Sequence, residues 1–317
     1  MKPAALLIFD GAPRAQLKAL TLEHLEPYLQ MLADPEVRML TATTKVFTRA
    51  NIEQWLTSRS STSNRKDWAI VGEHQEFLGE VVLNDFDDAK NLMNLRISLA
   101  GRHLFGQSIG RQALSLALEF AFDTLTLDKV TLKVLVDNAR AIRAYQSVGF
   151  REGRQFSQKG QRYLRMSVNK WQFVFALGQA GLRRHLDSSK WHFDFDNGKR
   201  RAGLCNYTDH RITISKHLVG IHTIDESLQV LAHEIAHALC GKTEGHGKKW
   251  LATAKSLGYR AEKFSGNEIA RERAPWVGAC PAGHEHFRYR KPTRALSCGL
   301  CSKRFSTMNL IAWRKAD

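Results

Sequence analysis

The residues best suited to do chemistry are two histidines and a glutamate, in the stretch His233-Glu234-Ile235-Ala236-His237. On an α-helix, side chains four positions apart lie on one face, so the imidazoles of His233 and His237 can bind one zinc ion. The carboxylate of Glu234 then reaches a water on that ion, where a general base is needed. This spacing predicts a helix that carries a catalytic zinc site.

A catalytic zinc also needs a third protein ligand and one position left for water. Two candidates follow the predicted helix within ten residues, His246 and Glu244. We take His246 as the first choice, while Glu244 stays open because carboxylates also bind zinc. The alternative to a metal site is a surface helix with two solvated histidines.

The surrounding sequence contains signals that begin and end such a helix. Thr223, with Glu226 three positions later, forms a capping box, and Gly241 supplies a stop. Apolar residues recur at helical spacing and are expected to bury the opposite face. They are Leu228, Leu231, Ile235 and Leu239.

Four further potential zinc ligands lie near the end of the chain, in the pattern C-x3-H followed by C-x2-C. They are Cys280, His284, Cys298 and Cys301. Four protein ligands leave no position for water, so this zinc is expected to be structural. The intervening segment, Phe287 to Leu296, is basic and is predicted to form a hairpin. The remaining cysteines, Cys205 and Cys240, are expected to be buried small hydrophobes.

A glycine-containing loop, Phe105 to Arg111, precedes a long predicted helix in the first half of the chain. Small residues allow backbone N–H groups to approach an anion, and the helix N-terminus adds partial positive charge. Arg102 and Arg111 can add full positive charges. Such a turn alone indicates little, because many similar turns bind nothing.

The sequence downstream makes the loop more specific. Residues 137–150, DNARAIRAYQSVGF, resemble the second motif of GNAT-family N-acetyltransferases, and the 105–111 loop resembles that family's pyrophosphate-binding loop. The resemblance covers roughly residues 15–170. It implies acetyl-coenzyme A as donor and an amine or a protein as acceptor. The cofactor-binding residues that it implies are Gly106, Gln107, Ser108, Ile109, Gly110, Arg111 and Asn138.

The same resemblance assigns catalytic roles. Tyr145 would protonate the departing thiolate, and N–H groups from Ile97 to Leu99 would stabilise the tetrahedral intermediate. For Tyr145, a core aromatic is the alternative interpretation. Glu80 and Asp85 are both candidates for the general base. The family usually has glycine at the position of Ser108, so close approach of an anion depends on a negative φ there.

The second half resembles the SprT family of zinc metalloproteases, some of which act on DNA-associated proteins. The matching segments occur in the family's order and cover about residues 172–310. They are 191–197, 201–205, 212–215, 231–239 and 245–247 with Trp250, followed by a tail that resembles the family's zinc ribbon. In this tail His284 stands where the family often has cysteine. The resemblance implies a zinc protease that acts on protein bound or crosslinked to DNA.

The charge distribution agrees with a polyanionic partner. The net charge is +16, and residues 171–317 contain 24 Lys and Arg against 13 Asp and Glu, whereas residues 1–170 contain 23 against 18. A basic second half favours nucleic acid before membrane. One basic strip is interleaved with aromatic residues, and a solvated surface is its alternative interpretation. The strip consists of Arg288, Arg290, Lys291 and Arg294 with Phe287 and Tyr289.

The 317 residues are enough for more than one domain. Strands and helices alternate through the first half, which predicts an α/β domain with a mixed sheet over residues 1–170. The two resemblances then place an α+β zincin-like metallopeptidase domain at 171–275 and a zinc ribbon at 276–317.

The location of the protein follows from what the sequence lacks. No apolar run is long enough to span a bilayer, and the first 20 residues lack the layout of a signal peptide. Five cysteines, an odd number without an export signal, argue against a disulfide framework. We expect a cytoplasmic protein, associated with the nucleoid if it binds DNA, and no membrane partner.

The leading hypothesis is a bifunctional chain, an acetyltransferase fused to a zinc protease. The alternative is a non-catalytic protein that senses acyl-coenzyme A and uses structural zinc to bind nucleic acid. A third hypothesis is that the transferase alone is active.

Overall fold

The computed structural model describes residues 7–9, 14–58, 64–199, 201–260 and 274–316. Its largest sheet consists of β1 (Gln16–Ala19), β2 (Lys66–Val71), β3 (Phe77–Asp87), β4 (Leu92–Leu99), β5 (Lys129–Leu135), β6 (Arg151–Gln158) and β7 (Gln161–Val168). The strand order is β1-β2-β3-β4-β5-β7-β6. Neighbouring strands are antiparallel except β4 and β5, which are parallel. The sheet is therefore mixed, as the sequence predicts.

Alternate residues of a strand point to opposite faces of the sheet, and β2 has buried apolar residues on both faces. Helices cover both faces. They are α1 (Leu25–Ala33), α2 (Pro35–Leu40), α3 (Arg49–Ser58), α4 (Ile109–Glu119) and α5 (Ala139–Ser147). Ala69 and Val71 of β2 belong to one core with α1 to α3, whereas Ile70 between them belongs to the core that contains α4. A π-helical turn, Phe120–Thr124, extends α4.

A long helix, α6 (Lys170–His185), follows the sheet after the single residue Asn169, which caps it. The next elements are β8 (His192–Asp196), β9 (Gly203–Asn206), β10 (Arg211–Ser215), α7 (Lys216–Ile221), α8 (Ile224–Cys240) and α9 (Lys248–Ser256). In this second sheet β10 is central, parallel to β8 and antiparallel to β9.

The last sheet is antiparallel and contains β11 (Trp276–Ala279), β12 (Glu285–Arg288) and β13 (Ala312–Lys315), with β11 in the centre. The turn between β11 and β12 carries two of the predicted zinc ligands, Cys280 and His284. Among the residues that the structure describes, no helix has the length and apolar composition needed to cross a bilayer.

The two halves of the chain are packed together rather than joined by a free linker. One hydrophobic core continues from β5 and α4 through α6 to α8. At the junction, Asp123 accepts a hydrogen bond from the backbone N of Ile224, at 2.8 Å. The other oxygen of Asp123 lies 3.2 Å from Lys170 Nζ. The π-helical turn after α4 therefore binds the start of α6 and the start of α8.

Several local predictions can be compared with these elements. The capping box of Thr223 with Glu226 and the stop at Gly241, whose φ is +83°, are confirmed. The prediction that Leu239 is buried is wrong, because this residue is 43% exposed on the last turn of α8.

Two further predictions also need correction. The hairpin predicted at 287–296 is wrong, since the hairpin is formed by β11 and β12. Cys205 and Cys240 are half-buried rather than buried.

Candidate active sites

A cleft opens in the large sheet where β4 and β5 separate. The two strands pair from Leu92 to Asn94, opposite Lys129 to Thr131, and diverge beyond this point. Residues from both diverging strands line a cleft with a volume of about 1180 Å³. The predicted N–H donors, Ile97 to Leu99, lie on its wall, and so does most of the 105–111 loop.

Cations dominate the side chains around this cleft. Its lining includes three carboxylates, Glu80, Asp85 and Asp87. It also includes eight basic residues, namely Lys90, Arg96, Arg111, Lys133, Arg140, Arg143, Lys159 and Arg165. An excess of positive charge favours a phosphate-containing ligand. The charge and the strand separation together fit an elongated anionic molecule.

The 105–111 loop has two residues in the left-handed region before α4 begins. Gly106 has φ +75°, which glycine adopts freely, and Ser108 has φ +62°, which is uncommon for a residue with a side chain. The condition for unhindered approach of an anion, a negative φ at Ser108, is therefore not met. Gln107 donates its side-chain amide to the carbonyl of His103, at 2.7 Å.

Glu80 of β3 is a buried carboxylate at the cleft. Tyr28 of α1 donates a hydrogen bond to it, at 3.0 Å. Burial raises the pKa of Glu80, and the nearby positive charge of Arg96 only partly opposes this effect. Asp85, the other base candidate, is exposed and has φ +55°. A buried carboxyl group with a raised pKa is the better general base near neutral pH.

Tyr145 and Asn138, both at or near α5, also line the cleft. Tyr145 is 8% exposed and packs edge-on against Phe150, so the core interpretation and a role at the cleft are compatible. Burial raises the pKa of Tyr145 to about 12, so the phenol keeps its proton at neutral pH. The Oδ1 atom of Asn138 accepts a hydrogen bond from Ala141 N, at 3.1 Å, and caps α5. The side-chain NH2 group of Asn138 is then the part of the amide that is left for a ligand.

The second candidate site is a triangle of histidine nitrogens. The Nε2 atoms of His233 and His237 are 3.0 Å apart, and His246 Nε2 lies 3.0 Å from His237 and 3.1 Å from His233. Helix α8 supplies the first two rings, and the turn before α9 supplies the third. Glu244, the alternative ligand, instead accepts a hydrogen bond from Lys249 N, at 3.0 Å, at the start of α9.

This triangle fits a zinc ion. Each imidazole nitrogen carries either a lone pair or a hydrogen, so at least two of the three must repel each other unless a cation lies among them. Tetrahedral zinc–nitrogen bonds place two nitrogens about 3.3 Å apart, close to the observed separations. The ring of His246 is exposed, so one side of the triangle faces solvent.

Glu234 follows His233 in α8 and is 8% exposed. Gly203 of β9 packs directly on it, because a Cβ at Gly203 would be 2.8 Å from Cγ and from Oε1 of Glu234. Burial, and then the charge of Glu234, raise the pKa of the Cys205 thiol to about 12. In the absence of a metal ion this thiol is therefore neutral at physiological pH.

The four predicted ligands of the C-terminal sheet also converge. The distance between the Sγ atoms of Cys280 and Cys301 is 3.7 Å, and His284 Nδ1 lies 3.3 Å from Cys301 Sγ and 3.6 Å from Cys298 Sγ. Three sulfurs and one nitrogen at these separations match a tetrahedral zinc site with no open position.

Several residues around these sites were not found by sequence reasoning. Tyr28 contacts Glu80 across 52 positions of the chain, which no local pattern reveals. Trp250 was noted only as part of a motif, yet its ring contacts all three histidines. In the C-terminal sheet region, Leu300, Phe305 and Met308 are exposed apolar residues outside the predicted basic strip.

Comparisons with known proteins agree with both halves. A model of the acetyltransferase (GNAT) domain matches residues 14–151, and a model of the SprT-like family matches residues 174–272. The chain is 23% identical over 138 residues to an N-acetyltransferase 9-like protein from Caenorhabditis briggsae, which covers 40% of this chain and 70% of that protein.

The comparison with solved structures finds spermidine N-acetyltransferases from Vibrio cholerae. The complex with CoA and spermine is 17% identical, covers 51% of this chain and 99% of that chain, and has a TM-score of 0.48. A complex with manganese ions is 19% identical, covers 49% of this chain and 92% of that chain, and has a TM-score of 0.42. From its two family matches, the chain joins a GNAT acetyltransferase domain to a SprT-like domain, which is the fusion that the sequence predicts.

Proposed function

We propose that the chain has two catalytic activities, acetyl transfer from acetyl-coenzyme A to an amine and zinc-dependent hydrolysis of protein substrates. The observation that carries the proposal is the presence of two separate sites, each with its own acid–base residue. Glu80 lines the cleft of the large sheet, and Glu234 follows His233, one residue of the histidine triangle, in α8.

In the cleft, acetyl-coenzyme A supplies the activated acetyl group, and the residues of this chain move the protons. An amine attacks the thioester carbon, the bond from that carbon to sulfur breaks, and the nitrogen loses one proton. Glu80 is placed to accept this proton, directly or through a water, because it is buried at the cleft with a raised pKa. Tyr145 holds a proton on its hydroxyl for the departing sulfur.

Release of the coenzyme thiol with a panel of acceptors tests this half. Spermidine, a peptide with a free N-terminus and a lysine-containing peptide with a blocked N-terminus represent the three kinds of amine. We expect thiol release with at least one of them, and the Tyr145→Phe variant should lower kcat with little change in KM. No release with any acceptor, despite coenzyme binding, would favour the sensing hypothesis.

At the histidine triangle, His233, His237 and His246 would hold the zinc ion. When bound, zinc lowers the pKa of water and polarises a carbonyl group. Glu234 is placed to accept a proton from the attacking water and to return it to the leaving amine. Strand β9 lies at the edge of its sheet and packs on α8 through Gly203, so an extended peptide could pair with it beside Glu234.

Replacing Glu234 with Gln is the direct test of this half. The change removes the base but no ligand, so peptide hydrolysis should fall at least about 100-fold while the zinc content stays the same. Unchanged hydrolysis by Glu234→Gln would remove the mechanism. Zinc binding without hydrolysis in the wild type would favour the alternative of a structural site.

The C-terminal sheet region supports a nucleic-acid partner. Residues 274–316 contain eight Lys and Arg and one acidic residue, Glu285. The four cations of the predicted strip, Arg288, Arg290, Lys291 and Arg294, are exposed, whereas its two aromatic residues are half-buried. The exposed side chains of Leu300, Phe305 and Met308 offer apolar contact for unpaired bases.

Binding to a labelled single-stranded oligonucleotide tests this partner. We expect affinity to fall steeply with salt, because each phosphate contact releases counterions. The double variant Arg290→Glu/Lys291→Glu should bind more weakly and with a smaller salt slope. Equal binding by this variant would exclude the strip as the contact surface and return it to the interpretation of a solvated face.

A further inference from the structure

Trp250 lies at the centre of the histidine triangle's packing. Its side chain is on α9 and is 5% exposed. The centre of its ring system lies 4.7 Å from His233, 5.4 Å from His237 and 4.6 Å from His246. One buried indole therefore contacts the three rings that come from two different elements of the chain.

The contacts are ring contacts rather than hydrogen bonds. The interplanar angles are 64° with His233 and 79° with His246, which are edge-on arrangements, and 32° with His237. Within the described part of the chain, the indole N–H of Trp250 has no hydrogen-bond partner. Leaving a buried donor unpaired costs about 1–3 kcal/mol, so the position is not explained by hydrogen bonding.

A second aromatic residue supports the same arrangement. Tyr259 packs 5.6 Å from Trp250 and 5.8 Å from His233. Its loop is fixed to α8 by the buried Gln229, which donates to the carbonyl of Gly258 at 3.3 Å and accepts from Arg260 N at 2.7 Å. Helix α8, which carries two of the histidines, therefore also fixes the loop of Tyr259, whose ring packs against His233.

We propose that Trp250 is a positioning residue, which packs against all three imidazoles and orients their nitrogens towards one metal ion. Ligand rings held by rigid neighbours lose less conformational freedom when the metal binds, so affinity rises. This inference rests on the proposed zinc site. It adds that ring packing, rather than the histidines alone, sets the geometry of that site.

Zinc affinity at the triangle tests the inference, measured by competition with a chromophoric chelator. The Cys/His cluster of the C-terminal sheet serves as an internal reference in the same molecule. Trp250→Leu should weaken zinc binding at the triangle by about 10–100-fold, the range seen when groups behind metal ligands are removed. Trp250→Phe, which keeps a ring, should restore most of the affinity. The half-exposed Trp171 provides the control variant Trp171→Leu, which should not change it.

A second readout separates positioning from general damage. With zinc in the Cys/His cluster and Co²⁺ at the triangle, the visible spectrum should change in Trp250→Leu and in Tyr259→Leu. An unchanged spectrum and affinity in a folded Trp250→Leu variant would overturn the inference, as would an equal loss of zinc at the reference cluster. A wild-type chain that binds zinc only at the cluster would instead overturn the proposed protease function.

Discussion

The two candidate active sites differ in how much of the chain is needed to build them. The three histidine nitrogens come from residues 233–246, on one helix and the turn after it. The cleft draws its polar groups from α1, β3, β4, the 105–111 loop and α5, over more than 100 residues. The first site depends mainly on helix periodicity, whereas the second exists because two parallel strands separate.

This difference has consequences for how each site fails. Loss of one ligand ring removes a third of the histidine triangle, so we expect its metal affinity to collapse after a single change. Backbone groups and eight basic residues line the cleft, so we expect single changes there to have smaller effects on coenzyme affinity. The exceptions are the side chains that handle protons, which have no replacement.

The largest effect that we expect in the cleft follows from removing the buried carboxylate. Glu80→Gln should lower kcat for acetyl transfer by about 100-fold, the range for loss of a general base. In the wild type, the rate should rise with pH through the raised pKa of Glu80. This rise should be absent in the variant, and a pH profile of kcat measures both.

Glu80→Gln should be more stable than the wild type at neutral pH, although its kcat is lower. Burial raises the pKa of Glu80 above 4.5, so the folded state loses stability as pH rises through that raised pKa. Gln removes the buried charge and can still accept the hydrogen bond from Tyr28. An inactive variant that is also much less stable at neutral pH would contradict this account.

A change at the junction should affect both regions together. Asp123→Ala removes the ion pair with Lys170, in which the side chain of Lys170 is 16% exposed and that of Asp123 is 13% exposed. It also removes the hydrogen bond from the backbone of Ile224 at the start of α8. Breaking such a pair should lower the free energy of unfolding by about 3 kcal/mol. Urea unfolding followed by fluorescence and by zinc release measures it.

The exposed Asp128 offers a matched control for this change. Asp128→Ala should leave both unfolding curves unchanged. If Asp123→Ala shifted neither curve, the two halves would be independent and the shared core would not couple them.

Gly203→Ala should show that the local site still depends on one distant residue. The added Cβ would lie 2.8 Å from Glu234 and from Val230 Cγ1 and would displace the carboxylate, so hydrolysis should fall about tenfold, which corresponds to about 1.4 kcal/mol. Zinc content should not change. Gly220→Ala, at an exposed glycine of α7 where a Cβ would lie at an ordinary contact distance of 3.5 Å from Trp171, is the control. Loss of zinc in Gly203→Ala would mean that β9 supports the triangle itself.

The smallest effect concerns the strained loop. Ser108 has a left-handed conformation, which costs a residue with a side chain about 1–2 kcal/mol, and Ser108→Gly removes this cost. Glycine also gives the unfolded chain more conformational freedom, and this effect offsets the gain in stability. Stability should therefore change little, while coenzyme binding should tighten a few-fold because the loop can approach the anion. Calorimetry with coenzyme A would detect the change, and weaker binding would show that the Ser108 side chain itself contacts the ligand.

Sequence reasoning succeeded where the signals are local. The capping box at Thr223 and the stop at Gly241 define α8 almost to the residue, because each depends on neighbours within a few positions. The family motifs at 105–111 and 137–150 identified the first half before its sheet was known, and the family match confirms that identification.

Elsewhere the deciding information is tertiary. The choice between Glu80 and Asp85 depends on which of them is buried, and the contact that decides it, from Tyr28 of α1 to Glu80, spans 52 positions of the chain. The sequence of β6 contains no clear strand signal, because β6 is an exposed edge strand without apolar alternation. Leu239 has the right spacing for burial, but this residue stays 43% exposed at the last turn of α8.

The most direct test of the central claim is a count of zinc ions per chain in three proteins. The wild type should bind two, His237→Ala should keep only the ion at the Cys/His cluster, and Cys298→Ser should keep only the ion at the histidine triangle. If His237→Ala still bound two zinc ions, the triangle would not be a metal site, and the proposed protease activity would have no basis.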